Sequence, residues 1–336
     1  MKMSRKCNLK ACHPCYFLKK HIYFIILITL IISSIFLFLS IFFTLYTSHS
    51  KAPNNSTLQI KNDSFTIQNS SVVAESPIGN SSKSTATSIR LPIIMYHALI
   101  EDPSKQNKYF IPPSVFESDL KYLKQEGFTA ITMSELIDYV YKGKNLPLKP
   151  IILTFDDGYF NNYYYAYPLL KKYNQKAVIS IIGKETDFYS LIKEDNAYYS
   201  HITWAQLNEM LISGLVEVQN HTYDLHSMEQ GRKGCTELDK ENYDDYKHFL
   251  ENDLGMLQRT IKDHTGFVPN TITYPFGQYS EFSEKVIKAM GFKASLTCAE
   301  RINTIEKNPD CLYKLGRFLR PPNVSSEDFF NSILQE

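Results

Sequence analysis

Ile151-Ile152-Leu153-Thr154-Phe155-Asp156-Asp157-Gly158 is the stretch that decides how this chain is read. Residues 151–155 are short, β-branched and aromatic, with Pro150 before them and Gly158 closing the run, a pattern that predicts a buried strand. Buried strands of α/β folds deliver functional groups at their carboxyl ends. The pair delivered here, Asp156 and Asp157, is self-repelling, and like charges at one site push their pKa values apart. A metal ion on one carboxylate and proton transfer by the other would relieve the conflict. Taken alone, Asp-Asp-Gly reads first as a solvated turn.

Two further stretches share the same grammar. Val216-Glu217-Val218-Gln219-Asn220-His221-Thr222-Tyr223-Asp224-Leu225-His226 is a strand followed by two histidines five positions apart. Both can meet one ion only if the chain turns between them. His221, His226 and one aspartate would form a two-nitrogen, one-oxygen set with open coordination positions, the arrangement of a catalytic zinc-type site. Thr222 and Asp224 are close enough in sequence to orient an imidazole. Thr273-Tyr274-Pro275-Phe276-Gly277 is a strand end turned sharply by proline and glycine. Its Phe276 amide is a candidate donor to a developing oxyanion. Each stretch alone also fits something plainer, such as satisfied core histidines or an ordinary strand-to-helix turn.

Around these stretches strands and helices alternate. Residues 91–97 read as a strand ending in His97. Helices are expected over 115–127, over 134–141 with Ser134 as cap, over 161–173, from Thr203-Trp204 to Gly214, over 243–264 and over 283–290. Strands are expected over 128–132, 177–182, 215–218, 271–274 and 294–297. Such alternation predicts an α/β fold with a parallel sheet wrapped by helices and, at this length, a closed or nearly closed barrel. Tyr159 and Trp204 lie near the motifs and are expected in the core.

Charge is unevenly spread. Lys2, Arg5, Lys6, Lys10, Lys19 and Lys20 precede any acid, and without them 30 basic residues face 35 acidic ones. A mildly acidic body excludes the basic stripe of a nucleic-acid binder. Residues 22–46 carry no charge and exceed the roughly 20 residues that cross a bilayer. No small-residue cleavage pattern follows, so an uncleaved signal anchor is expected rather than a signal peptide. The basic flank predicts a cytoplasmic tail at residues 1–21, a single-pass cell-membrane protein and an extracellular body. Residues 47–89 are rich in Ser, Asn, Thr and Lys and read as a flexible tether; residues 90–336 form one domain. Cys12 and Cys15 in the tail read as incidental or acylated rather than zinc-binding. Of Cys235, Cys298 and Cys311, the last two are the first pair to test for a disulfide.

Taken in order, Thr-Phe-Asp-Asp-Gly, His-Thr-x-x-x-His and Tyr-Pro-Phe-Gly resemble the polysaccharide deacetylase family, carbohydrate esterase family 4 or the NodB-homology domain. Met95-Tyr96-His97, the Phe116, Leu120 and Leu123 helix, and Thr203-Trp204-x-x-Leu207 extend the likeness over all of residues 90–336. The resemblance implies a distorted (β/α)7 barrel that removes acetyl groups from a sugar polymer with a divalent metal, zinc first, cobalt or nickel as substitutes. Carried over residue by residue, Asp157, His221 and His226 would hold the metal, Asp156 would be the general base, and the Phe276 amide would face the oxyanion. Two features depart from the common pattern. Thr273 stands where an arginine often begins the third motif, and no late histidine follows. Both resemble the poly-N-acetylglucosamine branch. His97 is then the candidate general acid, a core histidine being the alternative, and Arg317 or Arg320 the candidate partner that keeps Asp156 ionised. Peptidoglycan is the alternative substrate, and a degenerate glycan-binding protein the alternative of another class.

Overall fold

The β-branched runs become strands, and the amphipathic stretches between them become helices. The computed structural model describes residues 88–228 and 231–334. Strands β1 (Ile89–Leu91), β2 (Ile93–Tyr96), β3 (Ala98–Leu99) and β4 (Phe110–Ile111) precede helix α1 (Pro113–Gln125), β5 (Thr129–Ala130) and α2 (Met133–Lys142). Next come β6 (Pro150–Phe155), a π-helical turn (Asn162–Ala166) leading into α3 (Tyr167–Tyr173), β7 (Ala177–Ile181), α4 (Gly183–Ile192), α5 (Trp204–Ile212) and β8 (Val216–Asn220). The chain continues through α6 (Tyr243–Thr265), β9 (Thr271–Thr273), α7 (Glu281–Ala289), β10 (Ala294–Leu296), β11 (Asn303–Ile305), β12 (Phe318–Leu319) and α8 (Ser326–Leu334).

One parallel sheet runs in the order β10-β9-β8-β7-β6-β2-β12, with β5 also on β6. Its two ends are joined by a single segment, residues 315–319. Leu315 bridges Leu296 in parallel at one edge, and β12 pairs with β2 at the other. That double attachment bends the sheet into an α/β fold of the barrel type. Contacts across the concave face agree, since Ser180 on β7 and Thr273 on β9 hydrogen-bond at 2.7 Å over the intervening β8.

Period-two alternation then sorts the side chains. On β6, Ile151, Leu153 and Phe155 join the core cluster formed with Phe116, Leu120 and Leu123 of α1. Burying each such side chain contributes about 1.5–3 kcal/mol. The opposite face runs Ile152, Thr154, Asp156, from apolar to polar toward the strand's carboxyl end. The same step of two aligns Ile93, Met95 and His97 along β2, and Glu217, Gln219 and His221 along β8. Three candidate residues therefore sit at one rim because of where each strand ends.

Several local expectations are corrected. The cap of α2 is Thr132, not Ser134. The Thr132 hydroxyl accepts from the Glu135 amide at 3.2 Å and Glu135 accepts from the Thr132 amide at 2.8 Å, a capping box that satisfies two otherwise orphaned donors. The Ser134 amide instead donates to Glu217. Cys298 and Cys311 do not pair, and Cys235, Cys298 and Cys311 are all free thiols. The expected anchor at 22–46, Cys12 and Cys15 lie outside the described residues. Among the described residues, no helix is long and apolar enough to cross a membrane.

Candidate active site

Asp156 ends the inward row of β6, so Asp157 would face away if the strand continued. It does not continue: Asp157 adopts φ 68° and Gly158 φ 72°. This left-handed step, strained for a non-glycine residue, swings the second carboxylate back over the rim. Thr222 repeats the device after β8 at φ 73°, so the chain folds back and brings His226 beside His221. Phe276 does so after β9 at φ 57°, with its ring 4.5 Å from that of His226. All three motifs are turned by positive-φ residues, and these turns make them converge.

Nε2 of His221 and Nε2 of His226 each lie 3.3 Å from Oδ1 of Asp157. The three ligand-type atoms fall within 4.8 Å of one another. Oδ1 of Asp157 is buried and has no hydrogen-bond partner, which is costly unless a cation is to be held there. Nδ1 of His221 lies 2.7 Å from the Thr273 carbonyl. That bond requires the proton on Nδ1, so that Nε2, once deprotonated, turns its lone pair toward Asp157. His226 is 27% exposed against 2% for His221, so the cluster is open on the His226 side. These donors fit a divalent transition ion with room for further ligands. In the metal-free site burial opposes charge on Asp157, but a protonated His221 donating to it overcomes that cost and holds the carboxyl well below the usual range.

Asp156 has a different partner. Arg317, fully buried, donates from Nη1 to Oδ1 at 2.6 Å and from Nη2 to Oδ2 at 2.8 Å. Its Nε is fixed on the Thr297 carbonyl at 2.9 Å. Burial again opposes ionisation, and the charge and paired bonds of Arg317 overcome it, keeping Asp156 ionised. His97 Nε2 stands 4.0 Å from Oδ2 of Asp156. Burial lowers the His97 pKa more than the two carboxylates raise it, so the imidazole is neutral at neutral pH.

These groups open into a cleft of about 620 Å³. Asp156, Asp157, His221, His226, His97 and Phe276 all line it, and Arg317 lies beneath. Tyr159, expected in the core, forms part of an aromatic wall with Tyr109 and Phe110. Cys298, Lys233 and Glu300 complete the rim. Nothing in the local sequence singles out Tyr109, Lys233, Cys298 or Glu300.

Other expected residues are elsewhere. Arg320 is turned away to Asp119, to which its Nε and Nη2 donate at 2.9–3.0 Å. Asp224 touches no imidazole and pairs with Lys184 at 2.9 Å on the surface. The Thr222 hydroxyl accepts from the Leu225 amide instead of orienting a histidine. Trp204 is in the core as expected, stacked on His264 at 4.5 Å. Thr273 contributes a backbone carbonyl to His221, and the cationic role left open at its position is filled by Arg317, the residue just before β12.

The polysaccharide deacetylase family model matches residues 143–295. A poly-β-1,6-N-acetyl-D-glucosamine N-deacetylase of Staphylococcus aureus is 30% identical over 236 residues, 69% of this chain and 73% of the relative. Among solved structures, IcaB of Ammonifex degensii superimposes with a TM-score of 0.61 at 27% identity, covering 74% of this chain and 97% of the other. A de-N-acetylase of Aggregatibacter actinomycetemcomitans gives a TM-score of 0.61 at 25% identity, covering 72% and 99%. With the three motifs gathered in one cleft and relatives of this extent, the chain belongs to the polysaccharide deacetylase family.

Proposed function

We propose that this protein is a metal-dependent N-deacetylase of an extracellular N-acetylglucosamine polymer of the poly-N-acetylglucosamine type. Residues 22–46 would anchor it in the cell membrane with the catalytic domain, a distorted (β/α)7 barrel, outside. The observation that carries the reading is the division of labour at residues 156 and 157: one carboxylate is held by an arginine, its neighbour faces two imidazoles.

Asp157, His221 and His226 would hold the ion, zinc first and cobalt or nickel as substitutes, which supplies Lewis acidity toward the acetamide carbonyl and the attacking water. Asp156 takes the proton of that water as general base. Arg317 keeps Asp156 ionised and fixes its orientation. His97, neutral at rest and within 4.0 Å of Asp156, receives the proton and delivers it to the departing amine. The Phe276 amide donates to the oxyanion of the tetrahedral intermediate. The rings of Tyr109, Phe110 and Tyr159 offer apolar faces to the sugar. Acetate and a free amine leave.

The test uses the full-length protein in detergent, stripped of metal and reloaded with zinc. It is incubated separately with β-1,6-linked N-acetylglucosamine oligomers and with peptidoglycan, and acetate and new amine are measured. Release from the oligomers supports the reading. Release from peptidoglycan alone moves the substrate to the cell wall. Oligomer binding without acetate release from any glycan makes the protein a glycan binder and overturns the enzyme.

A further inference from the structure

His226 reaches its place only because the backbone between it and His221 is held on two sides. From α6, Asp253 accepts the Tyr223 amide on Oδ1 at 2.8 Å and the Asp224 amide on Oδ2 at 2.9 Å. From the first turn of α4, the amides of Gly183 and Lys184 donate to the carbonyls of Thr222 and Tyr223 at 3.1 and 2.9 Å. Asn220 accepts the Thr222 amide at 2.8 Å and anchors itself on the Leu254 carbonyl at 3.1 Å. A Cβ on Gly183 would fall 2.5 Å from the Tyr223 ring and 2.8 Å from Leu257, so α4 could not approach this closely with any other residue. Behind the loop, the Tyr223 hydroxyl donates to Asp187 at 2.8 Å, and the Trp204 indole donates to the other Asp187 oxygen at 2.8 Å.

We propose that Asp253 is a positioning residue of the metal centre, its carboxylate setting the turn at residues 222–224 and hence where His226 stands against His221 and Asp157. The inference rests on the metal reading above. Asp253 touches neither histidine and acts only through the backbone. Its chemistry suits the task, because a carboxylate can receive both amides at once, whereas an asparagine offers one acceptor and presents a donor to the second amide. Lys184 pairs with Asp224 at 2.9 Å, and the negative charge of Asp224 faces Asp253. Burial accordingly pushes Asp253 up to about 6. At neutral pH it is ionised against that cost, and the two amides are what hold it so.

The experiment reads metal affinity rather than turnover. Full-length wild type, Asp253→Ala and Asp253→Asn are stripped of metal in detergent and titrated with zinc against a competing chromophoric chelator. The cobalt-loaded forms are compared by visible absorption, and the metal-free forms by thermal melting. Outer partners of metal ligands typically set affinity by about 10–100-fold. The expected result is a loss in that range for Asp253→Ala and a smaller one for Asp253→Asn, with altered cobalt bands and a metal-free melting transition retained in Asp253→Asn. Zinc affinity within twofold of wild type and an unchanged cobalt spectrum in Asp253→Asn overturn the positioning role and leave the metal site standing. Wild type that binds no zinc overturns both.

Discussion

Arg317, fully buried, grips both carboxylate oxygens of Asp156 across 161 residues of chain, at 2.6 and 2.8 Å. Its neighbour Asp157 has no such cation and looks instead at two imidazole nitrogens. Two adjacent carboxylates that would repel in water are thereby given separate partners. Because the segment 315–319 carries Arg317 and, through β12, also closes the sheet onto β2, barrel closure and ionisation of Asp156 are one structural event.

Replacing Arg317 with methionine should therefore do two things. Breaking a buried ion pair leaves a charge uncompensated and destabilises by about 3–5 kcal/mol. The native Asp156 pKa is depressed, so its ionisation contributes stability above the unfolded value and loses it as pH falls through the folded one. Without Arg317 only the weaker pull of His221 and His97 opposes burial, and the acid limb of the kcat/KM profile moves to higher pH. A limb at the wild-type position in Arg317→Met would mean that Asp156 is not the group titrating there.

Asp156→Asn and His226→Ala separate the two carboxylate roles. Loss of a general base costs about 10²–10⁴-fold in rate, so Asp156→Asn should show that loss in kcat while binding zinc as wild type does. His226→Ala removes one of three ligand atoms and should lose the metal. Zinc content after gel filtration, measured beside acetate release, distinguishes them. Equal zinc content in the two variants contradicts the assignment.

How much of this was legible in the sequence follows from the range of each contact. The strand before Asp156, the helix face of Phe116, Leu120 and Leu123, and the helix opening at Thr203-Trp204 are local patterns, and all are in the structure. Asp156, Asp157, His221 and His226 were visible because each lies within a few residues of a strand end. Arg317 was one of two candidates, since nothing local distinguishes it from Arg320; only the pairing of Arg320 with Asp119 at the other side of β2 does. Asp224 misled because proximity in sequence says nothing of direction once Thr222 has reversed the chain. Helix α4 was missed because its apolar residues do not keep to one face, Leu191 being 81% exposed and Phe188 50%.

Gly277→Ala tests whether the third turn is as tightly fitted as its geometry implies. Gly277 has φ 66°, and a Cβ there would lie 2.7 Å from both Cβ and N of Cys298. The left-handed backbone alone costs about 1–3 kcal/mol for a non-glycine residue, and the clash with backbone adds to it. The melting temperature should fall, and kcat should fall with it because Phe276 and Cys298 both line the cleft. Wild-type melting and kcat would show that the turn is slack.

His97→Gln tests who returns the proton. An amine is a poor leaving group until protonated, whereas an activated phenolate departs unaided. If His97 delivers the proton, the variant should lose about 10²–10⁴-fold in kcat on N-acetylglucosamine oligomers and far less on an aryl acetate ester. His97 packs edge-on against Tyr109 at 4.9 Å, so glutamine disturbs the wall as well, but that disturbance weakens both substrates alike and shows in KM. Equal losses in kcat on amide and ester would remove His97 from the proton path. With the late histidine of the commoner pattern missing, no other imidazole among the described residues comes as near to Asp156 without also facing Asp157, so the proton would then have to reach the amine from Asp156 itself.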